Sequence, residues 1–298
     1  MNSKRILFLT NPISGDGRGR RLAPPLIKRM KALGYEVEHM ASQGSGDIFR
    51  YAGQASDSDI VAVLGGDGTL NEAYNGLADK SIPLLVLPIG TANVVARELE
   101  LPLDPLKAVE VLKAPKFVEW DTGLIGDTRF LFSLSVGFDA AAVHKLSDRR
   151  TGPISSRLTY VTLGMEALAS FRPSLLRIEA DGEKIEGQYV YALIINTKRY
   201  AGSFRLAPNA RVNDGELDLV LIEPTFLFNY FRYGLSAMTG VLQQHPGASH
   251  RRFKSCEIHA AGDMPVQIDG EKHGQAPVKC SVQPASCVFV VPENGKAK

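Results

Sequence analysis

The apolar run Ile60-Val61-Ala62-Val63-Leu64 leads directly into Gly65-Gly66-Asp67-Gly68-Thr69 and then into Leu70-Asn71-Glu72. No other stretch constrains the fold as strongly. A buried strand that ends in glycines and reopens as a helix belongs to a parallel sheet covered by helices, where ligands gather at the strand ends. Three glycines let backbone N–H groups approach a phosphate without Cβ obstruction, while Asp67 and Thr69 add polar contacts. The two commonest phosphate loops are disfavoured, because G-x-x-x-x-G-K-[ST] occurs nowhere and no G-x-G-x-x-G follows a predicted strand.

The flanking sequence repeats the same alternation. Ile6 to Thr10 reads as a first strand, followed by a Gly-rich loop from Asn11 to Gly19 and a helix with Leu22, Leu26, Ile27, Met30 and Leu33 at apolar positions. Gly34 ends that helix. Tyr35 to Met40, Ile60 to Leu64 and Ile82 to Leu87 are the next predicted strands, with helices over Asp47 to Ala55, Leu70 to Leu77 and a stretch through Ala96 and Leu99. After Pro115 two-residue turn signals and alternating segments dominate, which predicts a second, mainly antiparallel β domain. Asp181-Gly182 marks a hairpin. Further strands are predicted at Tyr189 to Ile195, Leu217 to Ile222, Cys256 to Ala260, Val266 to Ile268 and Val288 to Val291, and helices over Arg157 to Phe171 and Phe226 to Val241.

Composition excludes several function classes. The chain has 298 residues, 44% of them hydrophobic and 22% charged, a globular balance with room for two domains. A net charge of +2 is too mild for a nucleic-acid protein. Cys256, Cys280 and Cys287 are odd in number and show no C-x-x-C spacing, which fits a reduced, cytoplasmic protein. Phe226 to Val241 is the longest apolar segment and falls short of the ~20 residues that a membrane span needs. No export signal is visible at the N-terminus.

Three motifs stand in order at strand-to-helix edges: Asn11-Pro12-x-Ser14-Gly15, Gly65 to Glu72, and Pro88-x-Gly90-Thr91-x-Asn93. On these the chain resembles the bacterial diacylglycerol kinase-like lipid kinases, relatives of the diacylglycerol and sphingosine kinases and, more distantly, of the NAD kinases. The resemblance implies an α/β N-terminal domain with a Rossmann-like parallel sheet and a C-terminal antiparallel β-sandwich, with the active site in the cleft between them. The first domain would cover residues 1–122, completed by a returning segment near 284–296, and the second residues 123–283.

Site residues follow from the resemblance position by position. Asn11, Ser14 and Gly15 would line the nucleotide site from the first loop, with Ser42 where the family usually has Thr. Gly65, Gly66, Asp67, Gly68, Thr69, Leu70 and Asn71, with Glu72 beside them, would cradle the ATP phosphates, and Thr91 would close the pocket. Asp269-Gly270-Glu271 matches the family's D-G-E motif, in which Glu271 takes the proton of the lipid hydroxyl and Asp269 stands beside it. Asp214 would bind Mg²⁺ with its side chain and Arg211 and Glu216 with main-chain carbonyls, while Asp121 contributes through water. The family's Asp after the Asn of G-T-x-N is Val94 here, so no acid acts at that place.

Residue chemistry alone leaves rivals standing. Asp67 between glycines at the end of a buried strand points to phosphate or Mg²⁺ handling, and an anion facing ATP phosphates implies a cation between them. Asp-Gly-Glu occurs twice, at Asp181 to Glu183 and at Asp269 to Glu271, and a hairpin turn accounts for either. Asn213-Asp214-Gly215 is also turn chemistry. The basic groups at Arg18 to Arg21, Arg149-Arg150 and Arg251 to Lys254 are ordinary surface, or attractors of phosphates or of an anionic membrane face. The expected partners are a lipid substrate and, peripherally and transiently, the inner membrane face. No nucleic acid is expected, and a homodimer stays open. An NAD kinase-like phosphotransferase and a nucleotide-binding regulatory protein without turnover are the alternatives.

Overall fold

The computed structural model describes residues 5–56, 59–77, 81–148, 171–201 and 204–293. The predicted helix over Arg157 to Phe171, apart from Phe171, and the pair Arg149-Arg150 lie outside them. Two compact units are present, Met1–Asp121 with Pro284–Lys298 and Thr122–Gln283.

In the first unit β1 (Arg5–Thr10) pairs in parallel with β2 (Glu36–Ala41) on one side and with β3 (Asp59–Gly65) on the other. β3 pairs in parallel with β4 (Leu84–Pro88), and the end of β16 (Val278–Val291) joins β4 in parallel through Phe289 and Leu84. Ile6, Phe8 and Leu9 are fully buried, as are Ala62, Leu64, Leu84 and Leu87. Strands covered on both faces read as unbroken apolar runs, which is why these were legible. β2 departs from that pattern, with Glu36, Glu38 and His39 exposed, because it ends the sheet and its charges keep the edge from pairing further.

Helices cover this sheet. α1 (Ser14–Ala32) buries Leu26 and Met30, and α3 (Asp67–Gly76) buries Leu70, Ala73 and Tyr74. The Tyr74 hydroxyl donates to the Ser286 carbonyl at 3.0 Å, fixing the returning C-terminal segment. α2 (Asp47–Ala52) and α4 (Val94–Glu98) are short. α5 (Pro105–Ala108) follows the N-cap Asp104, whose carboxylate accepts the Leu106 N–H at 3.0 Å, with Pro105 opening the helix. It is too short to show a periodicity. A bidentate pair at 2.5 and 2.6 Å joins Arg29 of α1 to Glu110 in the turn after α5.

The second unit is antiparallel. β7 (Ser133–Gly137), β10 (Tyr191–Ile195), β11 (Leu217–Ile222), β12 (Ala248–Phe253), β14 (Pro265–Ile268) and β15 (Glu271–Gln275) form a six-stranded sheet in the order β12-β11-β10-β7-β14-β15. β8 (Ser174–Ala180) pairs with β9 (Glu183–Tyr189) and with β13 (Ser255–Ala260), which pairs in turn with the first part of β16. β5 (Lys116–Ile125) and β6 (Thr128–Phe130) make a further hairpin, and α6 (Phe138–Asp148) follows β7. Alternation sets the layers. Ala192, Ile194, Leu219 and Leu221 face the sandwich core with Ile178, Cys256 and Cys280, whereas Leu193, Val220 and Ile222 face outward beneath α7 (Leu227–Thr239).

Tertiary context corrected two elements of the sequence reading. The segment Tyr189 to Ile195 is not one strand: Tyr189 ends β9 and Tyr191 begins β10, which pairs in the other sheet. The helix after β3 opens at Asp67 rather than Leu70, so Asp67-Gly68-Thr69 is its first turn and Gly66 its extended N-cap.

Candidate functional site

The three motif loops of the first unit meet at the ends of β1, β3 and β4. Asn11 opens the first loop, its Oδ1 accepting the Ile13 N–H at 3.2 Å and its own N–H reaching the Leu64 carbonyl at 3.2 Å. Gly15, Asp16 and Gly17 then run with φ of 60°, 57° and 80° before the helix settles. A Cβ on Gly15 would come within 2.5 Å of the Ile89 carbonyl oxygen, so only glycine lets this loop lie against the loop after β4.

Contact between the second and third loops is closer still. The Ile89 N–H donates to the Gly65 carbonyl at 3.0 Å, and a Cβ on Gly90 would meet the Gly66 Cα at 2.6 Å. Gly65 has no room for a side chain either, since Thr69 folds over it with its Cβ 2.5 Å from that position. Asn93, left-handed at φ 48°, returns its Nδ2 to the Gly90 carbonyl at 2.8 Å. Backbone thus approaches backbone throughout, and the opening N–H groups of α3 stand at this junction. Such a helix start carries partial positive charge and donors aimed at an anion.

Asp67 takes a place that its sequence context did not indicate. Its Oδ1 accepts the Val95 N–H at 3.4 Å, and the Asn93 and Val94 N–H groups also lower its pKa, so the carboxylate caps α4. Burial is the larger influence and holds the carboxyl above its ordinary value. Backbone N–H groups at the start of α4 thus give the Asp67 carboxylate a counter-dipole.

The remaining expected nucleotide residues divide by environment. Ser14 and Ser42 are half-buried, and Thr91 is exposed beside the Gly66–Gly90 contact. Ser42 also lines a cavity of about 860 Å³ against α1 and β2, together with Thr10, Pro12, Ile13, Lys28 and His39. Leu70 is buried in the core, Glu72 accepts the Phe49 N–H of α2 at 3.4 Å, and Asn71 accepts from Asn75 at 2.9 Å. Leu70 and Glu72 tie α3 to its surroundings, while the Asn71–Asn75 bond lies within the helix. Sequence reading missed the roles of Gly90 and Asn93 as the tight contact and its brace. Only the motif's spacing hinted at them.

In the second unit both Asp-Gly-Glu segments form the same two-residue turn, with left-handed φ at Asp181 and Gly182 (48° and 86°) and at Asp269 and Gly270 (49° and 83°). Their surroundings differ. The exposed Asp181 carboxylate accepts the Lys254 and Ser255 N–H groups at 2.8 Å each. Asp269 is 5% exposed and accepts three N–H groups, from Leu131 at 2.7, Phe132 at 3.0 and Ser133 at 2.8 Å. Its carboxylate is therefore fully engaged in holding the turn. The Gly270 N–H donates to Gln267 Oε1 at 2.7 Å, and Gln267 Nε2 donates to the Ser135 hydroxyl at 2.9 Å. Ser135 and Tyr200 in turn each donate to Asp139 Oδ2 at 2.6 Å, and burial raises the Asp139 carboxyl above its usual range. Glu271 is the exposed acid at the end of this chain of bonds. Asp139 carried no sequence signal, since it follows β7 without any motif.

Among the expected metal residues, Asp214 and Glu216 come together on the Arg252 guanidinium, Glu216 at 2.6 Å. Asp214 Oδ1 also accepts the Glu216 N–H at 3.2 Å. Burial raises the Asp214 carboxyl despite Arg252, and the neighbouring Asp218 and Glu216 charges raise it further. Two carboxylates on one guanidinium, with Asp218 bonded to His250 nearby, form an oxygen-rich corner of the kind that suits a hard divalent ion. Arg211 is exposed beside them. Asp121, 2% exposed, instead accepts the Ala285 N–H at 2.7 Å and holds the left-handed turn at Ala285. Among the described residues no group of three or more His, Cys, Asp or Glu is arranged to hold a metal by side chains alone.

Comparison with known proteins follows the same division of the chain. Residues 5–125 match the diacylglycerol kinase catalytic domain, and residues 132–291 match the YegS C-terminal NAD kinase beta sandwich-like domain. A diacylglycerol kinase of Staphylococcus carnosus is 32% identical over 278 residues, covering 92% of this chain and 90% of its own. One from Staphylococcus saprophyticus is 30% identical over 278 residues, with 92% and 91% covered. The crystal structure of a diacylglycerol kinase from Bacillus anthracis superposes with a TM-score of 0.81 at 22% identity, covering 98% of this chain and 99% of that one, and shares the fold. With an α/β unit built around three glycine-rich strand ends and an antiparallel sandwich that braces a D-G-E turn, this chain belongs to the diacylglycerol kinase family.

Proposed function

We propose that the protein transfers the γ-phosphate of ATP to the hydroxyl of a diacylglycerol-like lipid in a Mg²⁺-dependent reaction. The observation that carries this reading is the meeting of three glycine-rich loops at the start of α3, where closely approaching backbone leaves donors directed at a phosphate. Phosphoryl transfer is chiefly positioning and charge neutralisation, which a rigid backbone cradle supplies. The cavity beside Ser42 and His39 has the size for the nucleoside end of the donor.

Glu271 is assigned the proton of the attacking hydroxyl. It is exposed, and the turn before it is fixed through Asp269 and Gln267. Asp214, with carbonyls of Arg211 and Glu216, would hold Mg²⁺ in the second unit, where the cation relieves the crowding of Asp214, Glu216 and Asp218. Since the acceptor is a lipid, the protein works in transient contact with a membrane surface. Three unpaired cysteines fit the reducing cytoplasmic side.

Incubation of the purified protein with γ-labelled ATP, Mg²⁺ and a total lipid extract tests the proposal. A labelled phospholipid is expected, absent with Glu271→Gln. Formation of NADP from NAD would reassign the acceptor, and ADP binding without any labelled product would favour a regulatory role.

A further inference from the structure

α7 presents two unlike faces. Its inner face is held down: the Tyr230 hydroxyl accepts the Thr225 N–H at 3.0 Å, the Tyr233 and His245 rings meet tilted with centroids 4.7 Å apart, and the Ser236 hydroxyl bonds His245 at 2.7 Å. Ala237 is buried against Leu193 and Val220 of the sheet, and its carbonyl accepts the Arg205 N–H at 2.6 Å. The helix therefore lies flat on the second unit. Its outer face carries Phe228 at 71%, Phe231 at 68%, Leu235 at 59% and Met238 at 55% exposure, with Phe226 at 84% just before it. Spacings of three, four and three residues put these side chains in one stripe.

We propose that this outer face of α7 is a bilayer-docking surface that lies in the plane of an anionic lipid–water interface with its Phe and Leu side chains inserted. The inference rests on the reading that the acceptor is a membrane lipid. Charge favours a bilayer over a second copy of the chain. From Pro224 to Cys256 the sequence has no Asp or Glu, with Glu223 the nearest acid before the helix, and apart from Arg252, which Asp214 and Glu216 engage, its Arg and Lys residues are Arg232, Arg251 and Lys254. Arg232 is the only charged residue of α7, and Arg205 flanks its far end, packed beside Gly240. Both are exposed, and among the described residues neither guanidinium is ion-paired. An apolar stripe rimmed by cations matches anionic headgroups above acyl chains, whereas two such faces brought together would repel.

Co-sedimentation with phosphatidylcholine vesicles, with and without phosphatidylglycerol, tests this. The wild-type protein is expected to bind the anionic vesicles. Combined Phe228→Glu, Phe231→Glu and Leu235→Glu should weaken partitioning by more than about tenfold, as when a large apolar side chain no longer leaves water, with the thermal melt unchanged. Arg232→Glu should weaken binding only where phosphatidylglycerol is present, and less so at high salt. Failure of the wild-type protein to bind vesicles, or equal binding by the triple variant, would overturn the proposal. So would a wild-type dimer that the triple variant dissociates without any change in vesicle binding. Phosphorylation of a monodisperse short-chain diacylglycerol is read separately: vesicle binding lost in the variant supports docking even if no lipid is phosphorylated, and that second result counts against the acceptor alone.

Discussion

Gly66 and Gly90 approach so closely that a Cβ on Gly90 would lie 2.6 Å from the Gly66 Cα. Neither glycine has a positive φ, so the requirement comes from contact between two backbones and owes nothing to turn geometry. Gly90→Ala should cost about 1–3 kcal/mol through backbone displacement. It should also weaken ATP binding, because the displaced strand end carries the loop that faces the start of α3. Thermal denaturation and nucleotide titration read the two effects.

Asp269 and Asp181 form identical turns with unequal consequences. Asp269→Ala strands three buried N–H groups and should destabilise by about 2–4 kcal/mol in urea unfolding. Asp181→Ala frees N–H groups that water can reach, so its cost should be clearly smaller. Glu271→Gln should leave the urea midpoint where it is, and a parallel assay of phosphate transfer separates the loss of chemistry from the loss of the turn.

Two carboxyls should titrate with opposite effects on stability. The Glu110 carboxyl is held down to about 2 by the Arg29 hydrogen bonds. Its folded pKa lies below its unfolded one, so its contribution is present above pH 4.5 and is lost as pH falls toward 2. Asp139 is raised by burial, so the folded state binds its proton more tightly. Its contribution is present below pH 3.8 and is lost as pH rises through the elevated value. Asp139→Asn, which keeps an oxygen for Ser135 and Tyr200, should therefore gain stability relative to wild type from pH 4 to pH 7. Thermal melts at the two pH values decide it, and an unchanged difference would contradict the raised pKa.

All three cysteines are buried, with Cys256 pushed up to about 12 and Cys280 higher than its ordinary value by burial. A thiol reagent at pH 8 should find almost no fast-reacting thiol in the native protein and all three after denaturation.

Much of the fold was legible because local pattern and tertiary role agree. Ile60 to Leu64 reads as a doubly covered strand and is one, Leu217 to Ile222 alternates between two cores, and Asp181-Gly182 turns between β8 and β9. The break at Val190 escaped notice because both halves are apolar and only pairing tells them apart. The same holds for the site: Gly65 to Thr69 announced itself, whereas the destination of the Asp67 carboxylate did not.

The sequence by itself determined the α/β and antiparallel halves and the strand ends at which glycines gather, since burial periodicity and glycine geometry are local properties of the chain. Tertiary structure decided which acids are committed to backbone and which stay exposed. Asp67, Asp121 and Asp269 are held by N–H groups of residues distant in sequence and Asp214 by Arg252 of β12, whereas Glu271 stays exposed. A carboxylate's partner is set by what the fold brings within about 3 Å, and no one-dimensional spacing records that distance.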